Sequence, residues 1–386
     1  MMLLDGITLH SFDTNRWVVH TQQERNFLVN GATYQLITLL RESTNINEAL
    51  KNFNVSFQTD FTEEQFKSLV SEKLGGYHIL KDDTEPEKPT LKNQYLKLKV
   101  ELINARWAGW LSKPLQAFYS PNVFWWALLG VILTVASVYF MSDNKLVFTN
   151  INYPLFFGLV YSAMLVHELG HIGACAKYGL KHGGIGFGFY FVLPVMYADA
   201  TNIWLVNKER RVIANMGGVF SELLYAAILI LLFLLTGNHT FYAAGISIAL
   251  FVIWQFNPFV RFDGYWILSD LTNTPNLLPK ANAAFKALIK TPMVLLRSNP
   301  KTVLLFVYGL VNTGFFIAIM GYMLVTQWNI VINFPFIVLK LLKKALFLKL
   351  TWRDLNRQLI TVFIFYSLLL RLLYSQYKQR FSTENL

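Results

Sequence analysis

His167 and His171 stand four residues apart in the run His167-Glu168-Leu169-Gly170-His171. On a helix that spacing puts both side chains on one face, one turn apart. Two imidazoles so placed can reach a single zinc ion, with the intervening Glu168 beside it as general base toward water. The flanking residues, Tyr161-Ser162-Ala163-Met164-Leu165-Val166 before and Ile172-Gly173-Ala174-Cys175-Ala176 after, are almost wholly apolar. Ionisable groups at membrane depth are costly, and they persist where they bind or move something. A chance match on a solvated helix therefore explains this run poorly. Catalytic zinc usually takes three protein ligands and keeps one position for water, so a further ligand is needed.

The downstream acidic candidates are Asp199, Glu222, Asp263 and Asp270. Glu222 sits inside an apolar span and draws attention by its burial cost; a supporting or structural role suits it better than ligation. Asp263 lies in Asn257-Pro258-Phe259-Val260-Arg261-Phe262-Asp263-Gly264, at the end of an apolar span. A proline-broken turn there would free backbone groups and point an aspartate inward, the alternative being an interfacial Asp-Gly turn. His182, in a glycine-rich loop, reads as a loop residue. Cys175 lies one turn beyond His171 and reads as a small apolar packing residue. Gly183, Gly184, Gly186 and Gly188 either admit an extended substrate or serve tight packing.

The elements that must carry these residues follow from composition. The chain has 386 residues, 54% of them hydrophobic and 16% aromatic, with a mean hydropathy of +0.37. That is too apolar for a soluble domain and fits a polytopic membrane protein with a polar appendage. The net charge of +11 comes from Lys and Arg beside the apolar spans, which indicates membrane orientation and not nucleic-acid binding. A single cysteine excludes an intrachain disulfide and a cysteine zinc cluster. Residues 1–30 lack the apolar core of a cleavable signal, so the N-terminus is expected to stay in the cytoplasm.

Along the chain, residues 1–80 read as a small soluble α+β domain. A β-hairpin is expected over Arg16–His20 and 26–29, then helices from Gly31, over 46–53, and after Thr62. Thr62 with Gln65 three positions on forms a capping box, and Phe61 with Phe66 a hydrophobic staple. Gly75-Gly76 should end that helix, with a return strand over 77–80. Residues 81–120 read as linker and juxtamembrane segment, and 121–386 as the membrane domain. Spans are expected over 123–141, 153–176, 212–236, 241–256 and 303–325, with 359–373 spanning or packing. The segment 183–199 is better read as a re-entrant hairpin, and 330–350 as an interfacial helix because of Pro335 and its lysines. The fold class is thus mainly α, a polytopic helical bundle of about six spans with a winged-helix-like N-terminal domain. Lys92, Lys97, Lys99, Arg106 and Lys113 before the first span should be cytoplasmic, as should Lys177, Lys181, Lys208, Arg210 and Arg211. So should Lys280, Lys286, Lys290 and Arg297. HELGH and Asp263 then share one depth, near the cytoplasmic face.

HELGH in a membrane helix, followed by an Asn-Pro…Asp-Gly segment, resembles the site-2-protease family of intramembrane zinc metalloproteases. The resemblance covers roughly residues 153–270. It implies zinc held by His167, His171 and Asp263, Glu168 as the group activating water, and Asn257 as a hydrogen-bond donor to substrate backbone or oxyanion. For Asn257 a plain turn role before proline is the alternative. The chain departs from the common pattern in having Phe262 before Asp-Gly, and Met216-Gly217-Gly218 where many members have Gly-Pro. The strings from Phe262 to Asp270 and from Pro194 to Asp199 are similar to the peptide zinc metalloprotease branch.

The N-terminal order of elements resembles PqqD-like modules that recognise leader peptides of ribosomally made peptides, and a small adaptor of another kind is the alternative. The expected activity is zinc endopeptidase action in peptide maturation. The partners implied are a peptide or membrane-protein substrate and the lipid bilayer, with a peptide exporter or modifying enzyme as further candidates. Two other readings stay open: regulated cleavage of a transmembrane anchor or signal-peptide remnant, and a non-enzymatic export or immunity protein. A binding protein would have no need of Glu168.

Overall fold

A computed structural model describes residues 2–23, 25–81, 96–142, 150–190, 193–291 and 298–346, with positions 362, 363, 365, 366 and 369. They fall into two compact units, Met1–Pro275 and Asn276–Leu386. The protein is mainly α-helical, with membrane helices and a small strand-containing region at its N-terminus.

The first unit opens with β1 (Thr8–Asp13), β2 (Arg16–His20) and β3 (Asn26–Asn30), an antiparallel sheet in that order. The β2–β3 hairpin matches the expectation. β1 is an additional strand, concealed in the sequence by the polar residues His10, Ser11 and Asp13. Leu9 lies opposite Val19, while His10 lies opposite Val18, so alternate residues of the hairpin point to opposite faces. Three helices follow, α1 (Gly31–Glu42), α2 (Ile46–Phe57) and α3 (Glu63–Leu74). α3 starts on the Thr62–Gln65 capping box. Phe61 and Phe66, on either side of the cap, meet one ring, Phe53, at centroid distances of 5.7 and 5.1 Å. α3 ends at Leu74 with Gly75 as its C-cap, as expected, though Gly75 stays right-handed and opens a 3-10 turn, Gly75–Tyr77. The return strand is where the chain departs from expectation. Ile79 and Leu80 are buried in the core, and a single bridge between Leu3 and Leu80 stands where a strand was expected.

The expected linker around 82–92 lies outside the described residues. β4 (Leu96–Ile103), within the stretch read as juxtamembrane, pairs with β5 (Ile185–Tyr190), and β5 pairs with β6 (Leu193–Ala198). The glycine-rich segment is therefore a hairpin and not a span. Gly183, Gly184 and Gly186 lie too close to their neighbours for a side chain. A Cβ on Gly186 would strike the Tyr197 ring, one on Gly184 the Ile103 carbonyl, and one on Gly183 the Asp199 Cβ at 2.7 Å.

Between β4 and β5 run α4 (Ala105–Leu111), α5 (Pro121–Met141) and α6 (Tyr153–Lys177); after β6 come α7 (Lys208–Thr236), α8 (His239–Gln255) and α9 (Asp263–Leu271). α7 is central, with α5, α6, α8 and α9 all packed on it. α6 and α7 meet backbone to backbone: a Cβ on Gly170 would fall on the Gly217 carbonyl oxygen, and one on Gly217 would lie 2.7 Å from the Gly170 oxygen. Small residues at such a crossing let dispersion contacts hold membrane helices together. The buried Tyr119 hydroxyl locks the same crossing, 2.6 Å from Ser221 Oγ and 3.2 Å from the Gly217 carbonyl. Burial pushes its pKa well up, so it remains a neutral phenol.

The second unit holds α10 (Leu277–Lys290), α11 (Pro300–Thr326) and α12 (Trp328–Leu346). Among the described residues four helices are long and apolar enough to cross a membrane: α5, α6, α7 and α11. That compares with about six expected spans. α8 is apolar but has only 17 residues, short for a hydrocarbon core of about 30 Å at 1.5 Å per residue. α12 carries Pro335 within it and Lys343 and Lys344 in its last turn, and most of 359–373 lies outside the described residues.

Candidate metal centre

α6 presents His167 and His171 toward α7 and the start of α9. Their Nε2 atoms face each other at 3.2 Å. Asp263 completes the group: its Oδ2 is 3.0 Å from His167 Nε2 and its Oδ1 3.7 Å from His171 Nε2. One donor atom from each of the three residues fits within a mutual distance of 4.8 Å. The sequence-level candidates for ligation therefore converge.

The outward nitrogens decide what the inward ones can do. His167 Nδ1 lies 3.0 Å from Glu222 Oε2, and His171 Nδ1 lies 2.9 Å from the Ala214 carbonyl oxygen. A carboxylate and a carbonyl only accept, so each Nδ1 carries the donated hydrogen, an assignment from the bonding pattern. With the rings neutral, two Nε2 lone pairs turn toward one another and toward Asp263. Asp263 Oδ2 is buried and accepts no hydrogen bond. Three electron-pair donors crowded without a donor hydrogen repel unless protons or a cation lie among them. Two imidazole nitrogens and a carboxylate oxygen are a donor set suited to zinc, so the residues present fit the ion.

Backbone geometry makes room for this convergence. A Cβ on Gly218 would lie 2.5 Å from Nε2 of both histidines, so α7 can run beneath the site only with glycine there. Gly264 answers a similar demand. Its Cβ would strike the backbone of Phe256 at the end of α8, so glycine lets α9 begin directly against α8 and aim Asp263 at the imidazoles. The Asp-Gly pair thus serves close approach, and its carboxylate points at the histidines. A carboxylate in a helix first turn is also favoured by the helix dipole.

The other acidic candidates separate cleanly. Glu222 is almost wholly buried, accepts 2.7 Å from Gln255 Nε2, and faces the outward nitrogen of His167, away from the three-ligand cluster. Asp270 pairs with Arg211 Nε at 3.0 Å, and Asp199 accepts from the Thr201 backbone and hydroxyl. Glu168 is partly buried on the same turn as the histidines, its carboxylate near the Ala198 backbone N–H at the end of β6. Asn257 Oδ1 accepts from the Phe259 N–H at 2.9 Å, the local bond of the turn between α8 and α9. His182 Nδ1 lies 3.0 Å from the Gly183 carbonyl oxygen, and Cys175 is buried.

Two contributors were not named from sequence, Gln255 and the Ala214 carbonyl, which orient groups at the site. Gly217 and Gly218, noted there only as a departure from the common pattern, let α7 approach it. Two adjacent glycines inside an apolar helix are the usable signal, since each costs about 1 kcal/mol against alanine. A backbone carbonyl leaves no such trace.

The chain is similar to the Bacillus subtilis (strain 168) protein named "Putative peptide zinc metalloprotease protein YydH", with 26% identity over 111 residues, 27% of this chain. The matched stretch spans 42% of that protein's length. No protein-family model and no solved structure matches the chain. The relation supported by sequence is to a zinc-metalloprotease-like protein, and the donor set of the partly buried cluster agrees with it.

Proposed function

We propose that this chain is a membrane-embedded zinc endopeptidase of the site-2-protease type, acting near the cytoplasmic face in maturation of a ribosomally made peptide. The observation that carries the reading is the convergence of His167, His171 and Asp263, with Glu168 on the same helical turn and apolar helices around them. Zinc held there would supply Lewis acidity toward a substrate carbonyl and acidify water.

The chain's own residues do the rest. His167 and His171 are held as neutral ligands by Glu222 and the Ala214 carbonyl. The Glu168 carboxylate takes a proton from the attacking water. As the C–N bond breaks it passes that proton to the leaving nitrogen. Water adds to the carbonyl carbon, so the products are a carboxylic acid and an amine. The Asn257 Oδ1 is engaged in its turn, which leaves its Nδ2 hydrogens as the donors toward substrate or oxyanion.

β6 is an edge strand of its sheet, and its last residue lies beside Glu168. An extended peptide added to that edge would lie along the site, the usual way a sheet edge takes a peptide. The N-terminal domain suits delivery of such a peptide from the cytoplasm.

The test is Glu168→Gln in the full chain. That variant should retain zinc and lose peptide maturation, and peptide captured on it should be identifiable by mass spectrometry. Unchanged maturation would overturn the enzyme reading in favour of an export or immunity protein. Capture of a transmembrane anchor instead would redirect the substrate to regulated intramembrane cleavage.

A further inference from the structure

Arg211 is a charged side chain with no exposure at all, and the site chemistry above makes no use of it. Such a charge is tolerated only with its hydrogen bonds met. Its Nε donates to Asp270 Oδ1 at 3.0 Å, one terminal nitrogen to the Val206 carbonyl at 2.9 Å, and the other to Asn273 Oδ1 at 3.0 Å. Asn215 Nδ2 donates to the second Asp270 oxygen at 2.6 Å. The group therefore clamps the start of α7 to the last turn of α9.

The remaining face of the guanidinium is covered by Phe12 from β1, with Arg211 Cζ 3.9 Å from the ring centroid. Arg16 lies 5.1 Å from the same ring and donates to the Asn273 carbonyl at 2.7 Å. Trp204 stacks on Phe12 at 5.8 Å. Phe12 and Val18 are both buried, yet neither belongs to the hydrophobic core of residues 3–80. They sit on the hairpin face opposite that core. The N-terminal sheet is thus covered on two sides, and its outer side touches the helices that carry the metal centre.

Each clamped helix bears on a proposed ligand, α7 by contact and α9 by carrying one. Ala214, one turn beyond Arg211 on α7, holds His171 through its carbonyl. Asp263 is the first residue of α9, about two turns and 10 Å from Asp270. We propose that Phe12 is a positioning residue for the metal centre: by sealing Arg211, the docked N-terminal domain fixes the α7–α9 spacing on which His171 and Asp263 converge. A domain suited to presenting peptide is then also a structural part of the site. This rests on the zinc-site reading above.

The full chain in detergent provides the test, by chelator competition for zinc and by the visible spectrum of the cobalt-substituted protein. Phe12→Ala should weaken zinc about tenfold, the lower end of the effect of groups that orient metal ligands, and should shift the cobalt bands. Phe12→Leu keeps most of the volume but has no aromatic face for the guanidinium, and should fall between; it decides the matter if Phe12→Ala does not fold. Phe57→Ala, on the partly exposed side of α2, should leave zinc affinity unchanged. Wild-type affinity and cobalt spectrum in a folded Phe12 variant would overturn the proposal. Failure of the wild-type chain to hold zinc would instead overturn the metalloprotease reading.

Discussion

The Glu222 carboxylate faces His167 Nδ1, and that contact determines which imidazole nitrogen is left for a metal. The sequence favours a supporting or structural role over ligation for Glu222, and its contact is with the outward nitrogen of His167. Groups in that position typically contribute 10–100-fold to metal affinity. Glu222→Gln should accordingly weaken zinc by about that factor, measured by chelator competition; unchanged affinity would mean that the Glu222 contact does not orient the ring. Gly218→Ala is a sharper steric test, because the new Cβ would lie 2.5 Å from both Nε2 atoms. Alanine improves helix propensity by about 1 kcal/mol, so zinc should be lost while helical content by circular dichroism is kept. Zinc bound at wild-type strength in Gly218→Ala would refute the assigned floor of the site.

α6 and α7 can bring this chemistry together only because Gly170 and Gly217 let their backbones touch. Gly170→Val would overpack that crossing and should cost about 1–3 kcal/mol, seen as a lower unfolding temperature in detergent. In the N-terminal domain, Thr62→Ala removes half of the capping box and should cost about 1 kcal/mol, a loss that denaturant titration of the domain signal can detect. Much at this scale was legible in the sequence. HELGH and Asp263 could be paired by depth, Thr62 and Gln65 marked a helix start, and the glycines of 183–199 argued for a hairpin. β1 stayed hidden because its outer face carries His10 and a docking phenylalanine in place of a plain alternating pattern. In the sequence Arg211 reads only as one of the charges on the cytoplasmic side, and its burial beneath Phe12 depends on residues far apart in sequence. The Ala214 carbonyl, being backbone, had no residue-type signal at all.

For the whole molecule, the positive charges flanking the apolar helices support the proposed orientation, with the N-terminus in the cytoplasm. The burial of Arg211 takes one charge out of that tally and leaves Lys208 and Arg210 on the same flank. A reporter fused to the N-terminus should be active only if it folds in the cytoplasm; periplasmic or extracellular activity would invert the arrangement and separate the site from cytoplasmic peptide. The central claim is narrower and can be tested on the purified full chain in detergent. Zinc K-edge absorption should give a first shell of nitrogen and oxygen at about 2.0–2.2 Å, with outer-shell scattering from two imidazoles that falls when His167 or His171 is replaced. A shell lacking imidazole, or zinc retained unchanged in Asp263→Ala, would contradict it.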